Sequence, residues 1–405
     1  MKKQKSFSDA AQKKEEGAQS APVDNGDFLG SLQFLEFNPN KFLVHFDKIK
    51  SISEGKDVFP VSVEIDPVSF CNHHCAWCVD PLHMEYSLEK EFVFRLLDEL
   101  KQIGVKGIVF KGGGEPTLHK DFDRLIEKAH SMGFEVGIVT NGSRLWELSA
   151  PIVKNCNYVR VSIDGSTAES HKKVHGSSDF EKIIYGVKEL LALRKKNRQR
   201  HPIIGLSYAM DYSSRELVGE AIKLGDTLGA DYVLFRTPFF EEVGREPTMS
   251  ILESFELKKI FSEESKKYKG KMKVFVDYWV SDSEAKQLDS SLLGSPRRGG
   301  IMKKGANGVE HITGKCFASP LLCVVSANKK IYPCCNLRFL DEWSVGTIDY
   351  SRGDSFRALW KGEKRRDVLK RMENIECIKY CTHPLSKYNE IIAYLKSEKY
   401  HSSFV

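Results

Sequence analysis

Between residues 60 and 240, short β-branched and aromatic runs alternate with longer segments whose apolar residues recur every three or four positions. Short apolar runs alternating with amphipathic helices are the pattern of βα units feeding a parallel sheet. Six strands are predicted: VSVEID (61 to 66), GIVFKG (107 to 112), FEVGIVTNG (134 to 142), YVRVSIDG (158 to 165), IIGLSYAM (203 to 210) and DYVLFRT (231 to 237). Helices are predicted between them, over about 88 to 103, 121 to 132, 144 to 155, 179 to 199 and 214 to 228. In the first helix Leu88, Phe92, Leu96, Leu100 and Ile103 form one apolar stripe, and Gly104 ends it.

The unusual residues fall where the strands end. CNHHCAWC follows the first strand, KGGGEP closes the second, TNG the third and SIDG the fourth. Parallel α/β folds place their chemistry on such carboxyl-end loops, so four successive units point to one site. After about residue 280 the periodicity is lost, and a polar, Gly-rich stretch reads as a linker over 281–314. A cysteine-rich segment, 315–405, follows it, with one helix expected in FRALWKGEKRRDVLKRMEN. At the other end, residues 1–28 read as a disordered tail and 29–59 as a short lead segment before the domain of 60–280.

Composition narrows the function classes. With 41% hydrophobic and 29% charged residues this is an ordinary globular chain, and no apolar run approaches the roughly 18 residues of a membrane span. The net charge of +6 is modest for 405 residues, and its only dense basic cluster, LRKKNRQRH at 193 to 201, reads as a solvated helix end. Nucleic acid and membrane are therefore not expected as partners. The start of the chain has basic residues but no apolar segment after them, so a cytoplasmic location is expected. In a reducing compartment ten cysteines point to metal ligation or catalysis before disulfides.

Cys71, Cys75 and Cys78 form a C-x3-C-x2-C run that also holds His73 and His74. Zinc would need a fourth ligand, which one of these histidines would have to supply from a cramped position. A 4Fe-4S cluster on three thiolates instead leaves one iron open to a small molecule. The run, with Trp77 before its last cysteine, resembles the signature of the radical S-adenosylmethionine (radical SAM) superfamily. Further motifs are similar. Gly113, Gly114 and Glu115 stand where the family meets the methionyl amino group, and Ser162 and Asp164 match its ribose-contacting pair. Trp77 matches the aromatic position near the adenine, and Asn141 and Arg236 are further candidates at strand ends. His73 and His74 read as loop residues facing solvent or the cluster surroundings.

The later cysteines resemble the family's Twitch module, the shorter relative of SPASM, in which four cysteines hold an auxiliary 4Fe-4S cluster; here these are Cys316, Cys334, Cys377 and Cys381. Two departures stand out: Lys329, beside Asn328, replaces the usual glycine, and the final pair is spaced by three residues and not two. Structural zinc is the alternative. Cys156 reads as packed, whereas Cys323 and Cys335 are candidate substitute ligands or hydrogen-atom donors.

The resemblance implies a partial (β/α)6 TIM-type barrel with a C-terminal auxiliary-cluster module, two 4Fe-4S clusters, S-adenosylmethionine, and a flavodoxin- or ferredoxin-type electron donor. It implies cleavage of S-adenosylmethionine to a 5′-deoxyadenosyl radical, followed by hydrogen abstraction. The favoured substrate is a small hydroxylated molecule oxidised from alcohol to ketone. Peptide modification and redox-neutral epimerisation or dehydration are alternatives, and a zinc-stabilised binding protein is the non-enzymatic one.

Overall fold

The computed structural model describes residues 39–78, 84–237, 251–276, 316–317 and 319–373, with positions 392, 395 and 396. The chain divides into two units, Met1–Phe46 and Asp47–Val405. The first is described from Pro39, where a 3-10 segment covers Pro39–His45. The predicted tail, the linker, and Cys377 and Cys381 lie outside the described residues.

The second unit is built on one ten-stranded sheet. After helix α1 (Phe46–Ser53), six strands alternate with helices: β1 (Ser62–Ile65), α2 (Lys90–Gln102), β2 (Gly107–Phe110), α3 (Phe122–Ser131), β3 (Glu135–Thr140), α4 (Leu145–Asn155), β4 (Tyr158–Ser162), α5 (Ala168–His175), α6 (Phe180–Lys196), β5 (Ile203–Ala209), α7 (Val218–Leu228) and β6 (Tyr232–Arg236). Helix α8 (Ile251–Lys267) leads to β7 (Lys273–Val276), a seventh parallel strand that the sequence pattern did not predict. The C-terminal segment supplies β8 (Leu322–Val325), β9 (Lys330–Tyr332), β10 (Gly346–Thr347), α9 (Phe356–Trp360) and α10 (Glu363–Glu373). Gly362 separates these last two helices, where the sequence pattern predicts one.

The strand order is β10-β9-β8-β1-β2-β3-β4-β5-β6-β7, so the barrel is open. From β8 to β7 the pairs are parallel, while β9 and β10 add antiparallel strands. Strand β8 hydrogen-bonds β1 in the register Val63↔Cys323 and Ile65↔Val325. The C-terminal segment therefore extends the barrel sheet. Further contacts tie it down. Glu99 on α2 accepts the N–H groups of Phe356 (3.0 Å) and Arg357 (2.6 Å) at the start of α9, and Trp360 Nε1 donates to Val58 O at 2.8 Å.

Alternation along each strand separates two environments. Val63, Ile65, Ile108, Phe110, Val159 and Val161 are fully buried in the core against the helices. Helix α2 supplies Val93, Leu96, Leu97 and Leu100 to that core, a face rotated slightly from the predicted stripe but overlapping it. Glu64, Tyr158 and Arg160 alternate with these and face inward. A Cβ on Gly137 would lie 2.2 Å from the Tyr158 ring, and one on Gly205 2.1 Å from that of Tyr232. The two rings lie over the glycines of the neighbouring strand, near the strands' amino ends. That leaves the carboxyl-end mouth for chemistry.

Candidate active site

The three cysteines of the first motif lie on the loop after β1, all partly exposed. The loop is fixed by backbone bonds: His74 N–H donates to His175 O at 2.9 Å, Ala76 N–H to Val174 O at 2.8 Å, and Cys78 N–H to Cys75 O at 3.1 Å. Helix α5, absent from the predicted elements, is thus the anchor of the motif. Cys71 Sγ accepts from His73 N–H at 3.4 Å and Asn141 Nδ2 at 3.8 Å. Burial pushes the Cys71 thiol up to about 11, with Glu115 and Cys78 adding to it, and burial likewise raises Cys75. Three cysteine thiols near one another, with N–H donors aimed at the Cys71 sulfur, suit a three-cysteine iron-sulfur cluster, whose iron charge offsets that penalty.

The GGGEP stretch lies directly on this loop. Glu115 N–H donates to Phe70 O at 3.0 Å, and a Cβ on Gly114 would come within 2.2 Å of the same oxygen. Gly113 is buried beside it. Glu115 is buried and its carboxylate faces inward: Oε1 accepts from Thr117 N–H (3.0 Å), Thr117 Oγ1 (2.5 Å) and Thr140 Oγ1 (2.6 Å), and Oε2 from Asn141 N–H (2.7 Å). Burial raises its pKa against the pull of these donors. Asn141 continues the network to Asn72 at 2.9 Å.

Strand β4 brings Ser162 to the same mouth, half-buried. Asp164 follows at φ +50°, its Oδ1 accepting from Ala209 N–H at 2.6 Å and its Oδ2 lying 2.9 Å from His175 Nε2. Both oxygens thus have protein partners. Trp77 is half-buried on the cysteine loop, and Arg236 is half-buried at the end of β6. His74 is exposed, as expected of a loop residue, but His73 turns inward and is fully buried. It packs edge-on against His171 and His175, two histidines one turn apart on α5. Sequence reasoning missed both. The signal was there in the i, i+4 spacing of His171 and His175 between a Thr-x-x-Ser cap and Gly176.

A second group joins the barrel to the C-terminal segment. Lys111 Nζ lies 3.1 Å from Glu64 Oε1, while Arg338 reaches Glu64 at 3.3 Å and Asp66 at 2.5 Å. Burial pushes the Asp66 carboxyl up to about 7, outweighing the Arg338 guanidinium beside it. For Glu64 the balance reverses: Lys111 and Arg338 outweigh burial and hold it below the usual range. Cys334 is buried, and its thiol hydrogen-bonds that of the adjacent Cys335, with Cys316 close enough to raise Cys334 further. Cys335 is lowered to about 6 by that bond, with help from Lys111 and Arg338. Cys323, by contrast, is fully buried in β8 on the helix-facing side, and Cys156 is packed as expected. At the predicted glycine position Lys329 takes φ +64°, and Asn328 Oδ1 closes the turn by accepting from Lys330 N–H at 3.1 Å.

Comparison with known proteins agrees with this architecture. The Radical SAM superfamily model matches residues 65–211, which form a radical SAM domain. A "Probable GTP 3',8-cyclase" of Saccharolobus islandicus (strain M.14.25 / Kamchatka #1) is 26% identical over 171 residues, 40% of this chain and 52% of the relative. One of the same name from Thermococcus kodakarensis is 28% identical over 127 residues, 29% of this chain and 40% of the relative. The first of these matches spans about half the relative's length. Among solved structures, Streptococcus suis SuiB bound to S-adenosylmethionine has a TM-score of 0.60 at 15% identity, covering 88% of this chain and 82% of its own. Native anSMEcpe with bound AdoMet and a Kp18Cys peptide has a TM-score of 0.55 at 19% identity, covering 83% and 96%. These two show the fold. No helix among the described residues is long and apolar enough to cross a membrane.

Proposed function

From the radical SAM domain at residues 65–211, we propose that this chain cleaves S-adenosylmethionine reductively and oxidises a small hydroxylated substrate from alcohol to ketone. The observation that carries the reading is the cysteine loop, with its three thiols held at the carboxyl ends of parallel strands against the GGGEP backbone. Cys71, Cys75 and Cys78 hold a 4Fe-4S cluster that, with S-adenosylmethionine and an electron from a flavodoxin- or ferredoxin-type donor, supplies a 5′-deoxyadenosyl radical. Gly113 and Gly114 give the methionyl end of S-adenosylmethionine a backbone surface, Glu115 orders that surface from beneath, and Ser162 faces the ribose. Trp77, Asn141, Asp164 and Arg236 complete the proposed cofactor surroundings.

The charged group of Glu64, Lys111, Asp66 and Arg338 supports a small polar substrate, because a lumen with charges of both signs suits several hydroxyl or ionic groups at fixed positions. Alcohol oxidation removes one hydrogen atom, one proton and one electron. Asp66, whose carboxyl burial lifts to about 7, is the group proposed to receive the proton. Cys316 and Cys334, with Cys377 and Cys381, are proposed to hold an auxiliary cluster, which supplies an electron acceptor.

Peptide modification is the second reading. It draws on the likeness to SuiB, also solved bound to its precursor peptide SuiA, over 82% of this chain.

Iron and sulfide content after anaerobic reconstitution, with a 5′-deoxyadenosine assay under strong reductant, tests the proposal. The expected result is about eight irons, falling to about four and to no cleavage when Cys71, Cys75 and Cys78 are replaced. Protein that carries a full iron complement, is free of zinc and still yields no 5′-deoxyadenosine would overturn it.

A further inference from the structure

Beside the cysteine loop, His73, His175 and Cys75 are arranged in a way that hydrogen abstraction does not require. His73 is fully buried and His175 nearly so. Nε2 of His73 lies 3.2 Å from Asp179 Oδ2, and Nε2 of His175 lies 2.9 Å from Asp164 Oδ2. A carboxylate only accepts hydrogen bonds and a neutral imidazole carries one hydrogen, so that hydrogen belongs on Nε2 in both rings. The two Nδ1 atoms are then both bare, and they face each other at 3.0 Å. Cys75 Sγ lies 3.4 Å from His175 Nδ1.

Two lone pairs at that separation repel unless something positive lies between them. The three donor atoms all fall within 4.8 Å of one another. A tetrahedral zinc ion with Zn–N of about 2.0 Å and Zn–S of about 2.3 Å sets N···N near 3.3 Å and N···S near 3.5 Å. Two of the three observed edges, 3.0 and 3.4 Å, are within a few tenths of these values, and the third, from His73 Nδ1 to Cys75 Sγ, is within 4.8 Å. Carboxylates on the far nitrogens are also the usual second partners of metal-bound histidines. The His171 ring stacks on His175 with centroids 4.4 Å apart, fixing its plane.

We propose that the chain without its iron-sulfur cluster holds one divalent transition-metal ion on His73 Nδ1, His175 Nδ1 and Cys75 Sγ. Two imidazole nitrogens and one thiolate sulfur suit zinc or ferrous iron, and not magnesium or calcium. Binding converts the Cys75 thiol to a metal-bound thiolate and releases one proton to solvent. Cys75 therefore has two mutually exclusive roles, and the ion must leave before the cluster forms. A zinc-loaded chain would resist reconstitution.

The test is anaerobic cobalt(II) titration of the full-length, cluster-free chain, read from thiolate-to-cobalt charge transfer and d–d absorption. The Cys71→Ser/Cys78→Ser variant cannot build the cluster but keeps the proposed site, and any cobalt on the C-terminal cysteines is common to every variant compared. In that background one cobalt with single-thiolate intensity is expected, and His175→Ala or His73→Ala should remove it. Asp179→Asn leaves all three donors in place and should weaken binding about 10-fold, which guards against misfolding of the histidine variants. Circular dichroism checks each fold. Loss of the single-thiolate cobalt absorption when Cys71 and Cys78 are replaced, or its survival when both histidines are gone, would overturn the proposal. So would a pair that shares a proton and binds no cobalt.

Discussion

Gly114 lies so close to Phe70 that a Cβ on it would sit 2.2 Å from the Phe70 carbonyl oxygen. The same oxygen accepts the Glu115 N–H at 3.0 Å, so the end of β2 is fastened to the segment entering the cysteine loop. Backbone cannot yield as a flexible side chain would. Gly114→Ala should therefore cost about 1–3 kcal/mol and push the Cys71 end of the loop outward. Thermal unfolding of the cluster-free chain and iron content after reconstitution check this. Full iron loading at unchanged stability would show that the loop adapts.

Glu115 should matter through its inward bonds before any contact with a ligand. Glu115→Gln puts an amide N–H₂ on one side of a group that accepts from four donors. Either Asn141 N–H or the Thr117 and Thr140 groups then face a donor. Leaving a buried donor unsatisfied costs about 1–3 kcal/mol. Denaturant unfolding should show that loss, whereas a purely ligand-binding carboxylate would leave stability unchanged and affect only S-adenosylmethionine affinity.

Much of this arrangement was legible in the sequence, and what was missed has physical reasons. The six predicted strands and the main helices rest on local periodicity, which is strong wherever one face packs on the sheet. Helix α5 escaped because AESHKKVH is short and mostly polar; it buries His171, Val174 and His175 in place of an aliphatic stripe. Strand β7 is four residues long and follows a lysine-rich turn. The pairing of β1 with β8 joins residues some 260 positions apart, a relationship local pattern cannot carry. The site motifs were visible because each stands at a strand end. The inward turn of His73 and the Asp66–Arg338 pair were not, since both depend on partners distant in the chain.

The Asp66–Arg338 pair predicts a pH dependence. The folded pKa of Asp66, about 7, lies above the 3.8 of an unperturbed aspartate, so between those values the folded chain holds a proton that the unfolded chain has lost. Its contribution to stability is present below about 4 and is lost as pH rises through 7. Urea unfolding of the cluster-free chain should thus show it less stable at pH 8 than at pH 5.5, by roughly 2 kcal/mol from this group. In Asp66→Asn, which keeps a carbonyl acceptor for Arg338, that slope should flatten. If Asp66 also receives the substrate proton, the variant should still cleave S-adenosylmethionine while forming no ketone.

The C-terminal cysteines give the last prediction, because the structure separates two residues that sequence reasoning treated alike. Cys323 faces the helix-side core opposite Val63, whereas Cys335 shares a hydrogen bond with Cys334 and feels Lys111 and Arg338. Cys323→Ala should therefore retain its iron and lose only packing, about 1 kcal/mol for the small group removed. Cys335→Ala leaves Cys334 without its thiol partner, so it should alter the auxiliary iron complement or its electron paramagnetic resonance signal while leaving S-adenosylmethionine cleavage intact. Iron loss in the Cys323 variant would place that thiol among the ligands after all. An unchanged spectrum in the Cys335 variant would leave auxiliary ligation to Cys316, Cys334, Cys377 and Cys381.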